Sequence, residues 1–346
     1  MHPSAFRRAI PALRPHHRLA WQSAFSCVCS VFFCLRTEAI LLTCASVLVV
    51  GADAAAHGFA GQRFFPATLV TDDPFVADEM SLPTITLVPN PASDGSPSTV
   101  EYDVSVDISK RITTNLDIEI SSTWQNIKTT GPGNSSVTGF ANLDVGSKYL
   151  LLVNAPHEFL LSVGVDAEIG GTGSSSLGVD HFSTISPGLF FGKGLGDLPR
   201  NLPLLRPFAV TGVLSMDFPT QNKTTSDSGD VEWNPHVLGT GLAIEYSIPY
   251  LQASVMDLGI PKPFNRMIPL VEFNFQTPVD RGERGLTTGI ICPGIIWSTT
   301  YFQIGFEALI PANPRTGHNV GAIGQLHFYL DDMFPHTIGK PLFGGR

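Results

Sequence analysis

A chain of 346 residues with 15% charged residues, 33 glycines, 27 prolines and 23 phenylalanines is turn-rich and aromatic, unlike a helical cytosolic enzyme. Its formal charge of −9 leaves no Lys/Arg stripe to neutralise phosphates, which excludes a nucleic-acid partner. Cys27, Cys29, Cys34 and Cys44 fall in the first 50 residues and only Cys292 lies beyond them, so no intrachain disulfide can hold the rest of the chain.

Residues 1–56 read as a signal peptide removed on export. Arg7, Arg8, Arg14 and Arg18 precede an apolar run, Arg36 and Glu38 interrupt it, and a second run over 39–50 ends at Ala54-Ala55-Ala56, a small-x-small cleavage pattern. That second run is too short to cross a bilayer as a helix. The leader's length points to a translated start near Leu35. Cys44 lacks the small residue before it that lipidation needs. Cleavage after residue 56 leaves 16 basic against 28 acidic residues, a charge of −12.

Residues 57–80 show no period and read as a periplasmic extended segment with an aromatic and an acidic cluster. Asp72, Asp73, Asp78 and Glu79 are hard-oxygen ligands that could hold Ca²⁺, but their spacing fits no loop motif, and a solvated acidic turn accounts for them better.

Over 81–330 the apolar residues take a two-residue beat, which sorts side chains onto opposite faces of pleated strands. The beat begins weakly over 84–88 and then becomes strict. Val100, Tyr102, Val104, Val106 and Ile108 alternate with Glu101, Asp103 and Asp107. After a turn, Leu116, Ile118 and Ile120 alternate with Asp117 and Glu119. Beyond a Gly/Ser/Asn loop over 125–138, Leu143, Val145 and Tyr149 oppose Asp144 and Lys148, and Val163, Val165 and Ala167 oppose Asp166 and Glu168. Further strands carry Asp217, Glu272 and His327 on their polar sides, and a tail over 331–346 follows.

The count is about 12, the even number that single-chain outer-membrane barrels require. Connections after odd strands are long and polar, and two of the others are tight turns; 192–205 and 247–266 are too long for that rule. The expected fold is all-β, a transmembrane antiparallel up-and-down β-barrel of bacterial outer-membrane type, with both termini in the periplasm. A soluble sandwich or lipocalin-like barrel would instead turn its oily faces inward. Residues 57–80 would then lie in the periplasm, or plug or line the barrel mouth. Trp124 and Trp233 fall at outer strand ends, and Tyr149, Tyr246, Trp297, Tyr301 and Tyr329 at inner ends, as two interfacial girdles require.

The polar set faces the lumen: Glu101, Asp103, Asp107, Asp117, Glu119, Asp144, Lys148, Asp166, Glu168, Asp217, Glu272 and His327. It forms either a cation-preferring, hydrogen-bonding passage or a closed plug of mutually bonded side chains. An enzyme reading lacks support: there is no Gly-x-Ser-x-Gly, His318-Asn319 sits in a loop without the Ser-x-Gly of a barrel phospholipase, and His327 shows no orienting pair. Zinc spacing is absent and no cofactor is implied. The run 192–196 has the glycines of a phosphate loop without its spacing or helix, and reads as a turn.

The run 140–149, the following strand over 159–169 and Pro187-Gly188-Leu-Phe-Phe-Gly-Lys-Gly-Leu-Gly-Asp197 resemble the outer-membrane transporter family labelled after a meta-pathway of phenol degradation. The resemblance covers the middle half of the chain. It implies a channel for small aromatic or hydrophobic compounds and supplies no catalytic residues. The expected function is passive transport of a small solute across the outer membrane of a Gram-negative bacterium, with outer-membrane lipid and the barrel-assembly machinery as partners. A closed structural or adhesion barrel is the alternative, and an outer-membrane lipid hydrolase the third.

Overall fold

The computed structural model describes residues 58–92, 97–130, 135–225, 231–282 and 284–344. The leader assigned to 1–56, its cleavage site and Cys44 lie outside them.

Twelve strands follow one another around a closed ring. They are β1 (Glu79–Asn90), β2 (Thr99–Arg111), β3 (Asp117–Thr129), β4 (two runs, Ser136–Phe140 and Leu143–Asn154), β5 (Phe159–Ile169), β6 (Thr184–Gly194), β7 (Phe208–Pro219), β8 (Val237–Tyr246), β9 (Met267–Pro278), β10 (Thr288–Ser298), β11 (Phe302–Pro311) and β12 (Gly321–Tyr329). Each pairs antiparallel with the next. β12 pairs with β1, Tyr329 opposite Glu79 and His327 opposite Ser81, so the sheet has no free edge. β1 bulges between Ser81 and Thr84, where Pro83 has no N–H to give the ladder.

The outer face is apolar. Ile85, Ile108, Ile120, Leu189, Leu214, Ile304 and Phe306 are all exposed, Phe306 by 59%. The inner face carries hydroxyls, carboxylates and amides. This is the reverse of a soluble β-protein and matches a barrel that meets hydrocarbon outside.

Several elements differ from the sequence reading. β3 runs on to Thr129 and β4 begins at Ser136, because Ile127 and Lys128 pair with Val137 and Ser136 across what the composition marks as a loop. On β9 to β12 much of the inner face is apolar: Ile268, Leu270, Ile290, Cys292, Ile296, Leu309 and Ile323 form one buried cluster with Leu69 and Val70. Residues 58–78 cover that cluster from inside the barrel, which is why these strands read as near-continuous apolar runs.

The segment 58–78 is therefore no free periplasmic extension. A two-stranded hairpin pairs Phe59–Ala60 with Arg63–Phe64 through Gly61, whose φ of 64° and contact with the Ala155 carbonyl leave no room for a side chain. The chain then climbs inside the wall to 69–74 and returns to β1. The long connection between β8 and β9 breaks the short-turn rule because it folds inward, Ser247 capping a short helical turn that sets Tyr250 beneath Arg63. After a turn of helix at Leu330–Met333, the tail returns to the end of β2: Lys110 donates to the carbonyls of Ile338 and Lys340 at 2.8 Å each.

If lipid covers the outer face, Leu214→Arg on β7 destabilises the folded barrel by about 2–4 kcal/mol at mid-membrane depth. Urea unfolding in lipid vesicles measures this; an unchanged midpoint contradicts the placement.

Candidate functional site

The inward side chains and the segment 58–78 satisfy one another. A chain entering a lumen brings backbone N–H and C=O groups that must find partners there. Glu272 on β9 accepts the backbone N–H groups of Leu69 at 2.8 Å and Val70 at 3.1 Å, and that of Thr71. Asn274 donates to the Thr71 hydroxyl at 2.9 Å, Gln303 to the Ala67 carbonyl at 2.5 Å, and Ser162 to the Pro74 carbonyl. Lys148 Nζ donates to the Asp73 carbonyl at 2.8 Å and lies 3.4 Å from the Asp73 carboxylate and 3.7 Å from that of Asp72.

Both ends of the segment are fixed by charge. Arg63, fully buried, donates to Glu158 at 3.0 Å and to the Pro207 carbonyl at 3.0 Å, and its guanidinium lies 3.6 Å over the Tyr250 ring. The Tyr250 hydroxyl donates to the other Glu158 oxygen at 2.6 Å. Asp78 accepts the Arg111 backbone N–H at 2.9 Å and its Nε at 2.7 Å, and also binds Lys110. Asp78 is thus neither a calcium ligand nor part of a solvated turn, because two basic side chains of β2 enclose it. Among the described residues no group of three or more His, Cys, Asp or Glu is placed to hold a metal ion.

The sequence-derived lumen residues all lie on the inner surface. Glu101, Asp103, Asp117, Asp144, Lys148, Glu168, Asp217, Glu272 and His327 are buried there. Asp107, Glu119 and Asp166 line spaces inside the barrel. They do not converge on one point: Glu101 bonds Gln125 at 3.1 Å, Glu168 bonds Asn142 at 2.8 Å, and Asp217 accepts from Ser186 at 2.6 Å.

The segment leaves open space on two flanks. Towards β1 to β4 and β12 the lining is acidic, with Asp107, Glu119 and Asp144 joining Asp72, Asp73 and Glu79 around Lys148 and His327. Towards β5 to β10 it mixes small and apolar residues, among them Phe190, Val213, Ser215 and Gly241, with the Asp72 and Asp166 carboxylates and the Asn274 and Gln276 amides.

Sequence reasoning missed Arg63, Glu158, Glu245 and Glu307. Glu245 and Glu307 follow the same alternation as the residues that were found, and their inward phase could have been read from Ile244 and Phe306. Arg63 and Glu158 carry no such signal, since their pairing joins positions 95 residues apart.

Two girdle assignments are overturned. Tyr329 is fully buried inside the barrel, its hydroxyl 2.5 Å from Gln303 Oε1 and its ring edge-on to Phe64, because the last residue of β12 turns inward in phase with His327. Trp233 belongs to no barrel strand; it sits on a separate hairpin, Val231–Trp233 against Lys223–Thr225, beyond the ends of β7 and β8. Of the others, Trp124 and Tyr301 are exposed, Tyr246 and Trp297 are half-buried at inner strand ends, and Tyr149 is half-buried in the middle of its strand, five residues from the end at Asn154.

His327 does have an orienting pair. Ser81 Oγ lies 2.9 Å from its Nδ1, and Glu79 lies 3.3 Å from its Nε2. The cross-strand register of β1 and β12 brings Ser81, His327 and Glu79 together, a grouping that no local motif announces. It faces the lumen, not lipid.

No protein-family model matches the chain and no curated protein sequence matches it. Among solved structures, the COG4313 outer membrane channel from Pseudomonas putida F1 is similar, with a TM-score of 0.54 and 12% identity over 77% of this chain and 99% of that one. The NanC porin (TM-score 0.42, 7% identity, 71% of this chain and 98% of that one) and the KdgM porin (0.40, 10%, 72% and 98%) are more distant. The first likeness defines the fold class, a closed twelve-strand antiparallel barrel of outer-membrane type.

Glu158→Gln removes one charge of the buried Arg63 pair and costs about 3–5 kcal/mol, seen as faster hydrogen exchange over 58–66; unchanged exchange contradicts the clamp. Burial first, then the Glu158 hydrogen bond, pushes the Tyr250 phenol up to about 12. The fold therefore favours the neutral phenol, a contribution complete below the ordinary value of 10.0 and lost as pH rises through about 12. Absorbance titration of the protein against Tyr250→Phe shows a phenolate appearing near 12; one appearing near 10 contradicts the contact.

Proposed function

We propose that the protein is an outer-membrane channel of a Gram-negative bacterium, through which a small solute passes down its gradient beside the segment 58–78. The observation that carries this reading is the pairing of an apolar outer wall with a polar lumen in which the segment 58–78 leaves a small cavity on each of two flanks. A barrel that served only as a structural element would not need open, charged space alongside a fixed constriction.

On this reading the signal peptide is cleaved, the barrel-assembly machinery inserts the protein, and both termini lie in the periplasm. The long loops face outward. The family resemblance of the run 140–197 supports a small aromatic or hydrophobic solute, and the small and apolar lining between β5 and β10 suits one. The excess of carboxylates over Lys148 on the other flank gives the passage a cation preference.

A closed structural barrel is the second reading, favoured by the number of bonds that fix the segment. An outer-membrane lipid hydrolase is the third, favoured by the Ser81–His327 hydrogen bond with Glu79 beside it; labelling of Ser81 by a fluorophosphonate would support it, and an unlabelled protein would remove it.

Purified protein in planar bilayers is expected to give small, cation-preferring channel events. Glu272→Ala, which frees the turn over 69–71, is expected to raise conductance severalfold. Absence of any event in both proteins contradicts transport and favours the closed barrel.

A further inference from the structure

The short-turn end of the barrel carries apolar side chains that neither the wall nor the lumen covers. In the connection between β8 and β9, Leu258 and Phe264 are each 54% exposed, and Lys262 lies open between them. The connection does not stand free of the ring. Trp297 follows the fully buried Ile296 on β10 and so points outward; its indole N–H donates to the Pro263 carbonyl at 3.2 Å, and its ring lies 5.9 Å from that of Phe302. Residues 262–264 are thereby held against the outer wall at the level of its aromatic residues.

The charges of this stretch are unbalanced. Among the described residues neither Lys262 nor Arg266 forms an ion pair. The one nearby carboxylate, Asp257, accepts from the Gly259 N–H at 2.8 Å and from the Gln252 amide at 3.3 Å. The neighbouring connection repeats the pattern. It is joined to this one where the Ser247 N–H donates to the Pro207 carbonyl at 3.1 Å, and Arg200, Leu204 and Leu205 are exposed on it.

Each possible surrounding meets this surface differently. Water would leave Leu258 and Phe264 hydrated beside a wall that is itself apolar. Acyl chains alone would cover the apolar tips and leave two cations without a counter-charge. An anionic phospholipid supplies both partners: chains beside Phe264 and Trp297, continuous with the lipid along the wall, and a phosphate for Lys262 and Arg266.

We infer that residues 258–266, with Trp297, form a binding site for an anionic phospholipid in the leaflet on the short-turn side, the periplasmic one in the orientation proposed above. The site rests on the outer wall meeting lipid and not on transport.

Bromine on a lipid chain quenches a tryptophan it touches, so Trp297 can report which lipid lies beside it. Protein that keeps Trp297 alone, through Trp21→Phe, Trp124→Phe and Trp233→Phe, is reconstituted into bilayers containing brominated phosphatidylglycerol or brominated phosphatidylcholine. Phosphatidylglycerol is expected to be favoured about fivefold at Trp297. Lys262→Gln combined with Arg266→Gln brings that ratio to about one, and Arg315→Gln, on the opposite rim, leaves it unchanged. Equal quenching by the two lipids before any basic residue is changed overturns the inference. So does an equal loss with Arg315→Gln, which would mark a response to net charge. Quenching by neither lipid would put protein, such as a second copy of the chain, against Trp297, and also overturns it. A lipid preference without channel events removes transport and leaves this site; channel events without a lipid preference remove the site and leave the channel.

Discussion

A strand that borders hydrocarbon has no water to satisfy its backbone, so each of its N–H and C=O groups must pair within the protein. Here that constraint is met by the β12–β1 ladder, which joins the last strand to the first and removes both edges. Closure then dictates the rest. Once alternate residues point to lipid, the carboxylates of the barrel strands are driven to one enclosed surface, and the interior holds a concentration of them that a soluble protein would spread over its exterior.

The segment 58–78 is the structural answer to that interior. Its backbone donors meet Glu272, its carbonyls meet Lys148, Gln303 and Ser162, and its apolar side chains Leu69 and Val70 cover the part of the wall where inward residues are apolar. Segment and wall are therefore one folding problem. Removing Leu69 would expose Ile268 and Ile296, and removing Glu272 would orphan three buried N–H groups. The same contacts narrow the lumen and give its two flanks their different character: a cluster of carboxylates around Lys148 and His327 where β1 to β4 face it, and more small and apolar groups, with Asp72 and Asp166, where β5 to β10 do.

What the sequence made legible follows from period. Val100 to Ile108 and Leu116 to Ile120 alternate strictly because each has lipid on one side and polar space on the other, and their facing is read directly. Residues 289–297 do not alternate, because Ile290, Cys292 and Ile296 meet the segment's side chains and not water. Long-range pairing was invisible: Arg63 with Glu158, Asp78 with Arg111, Ser81 with His327. Each depends on register around the ring, and no local pattern encodes it. Tyr329 misled for the related reason that a terminal aromatic looks the same in sequence whether it anchors at an interface or turns inward onto Gln303.

Lipid contact of the outer face is the claim on which the architecture stands. Spin labels placed singly from 100 to 108 on β2, in protein reconstituted into lipid bilayers, report collision with oxygen and with a polar nickel chelate at each position. Oxygen access should peak at Val100, Tyr102, Val104, Val106 and Ile108 and fall at the odd positions between them. A series in which the even positions are shielded from oxygen as fully as Glu101 and Asp103 would mean that protein, not hydrocarbon, covers them, and would contradict the account.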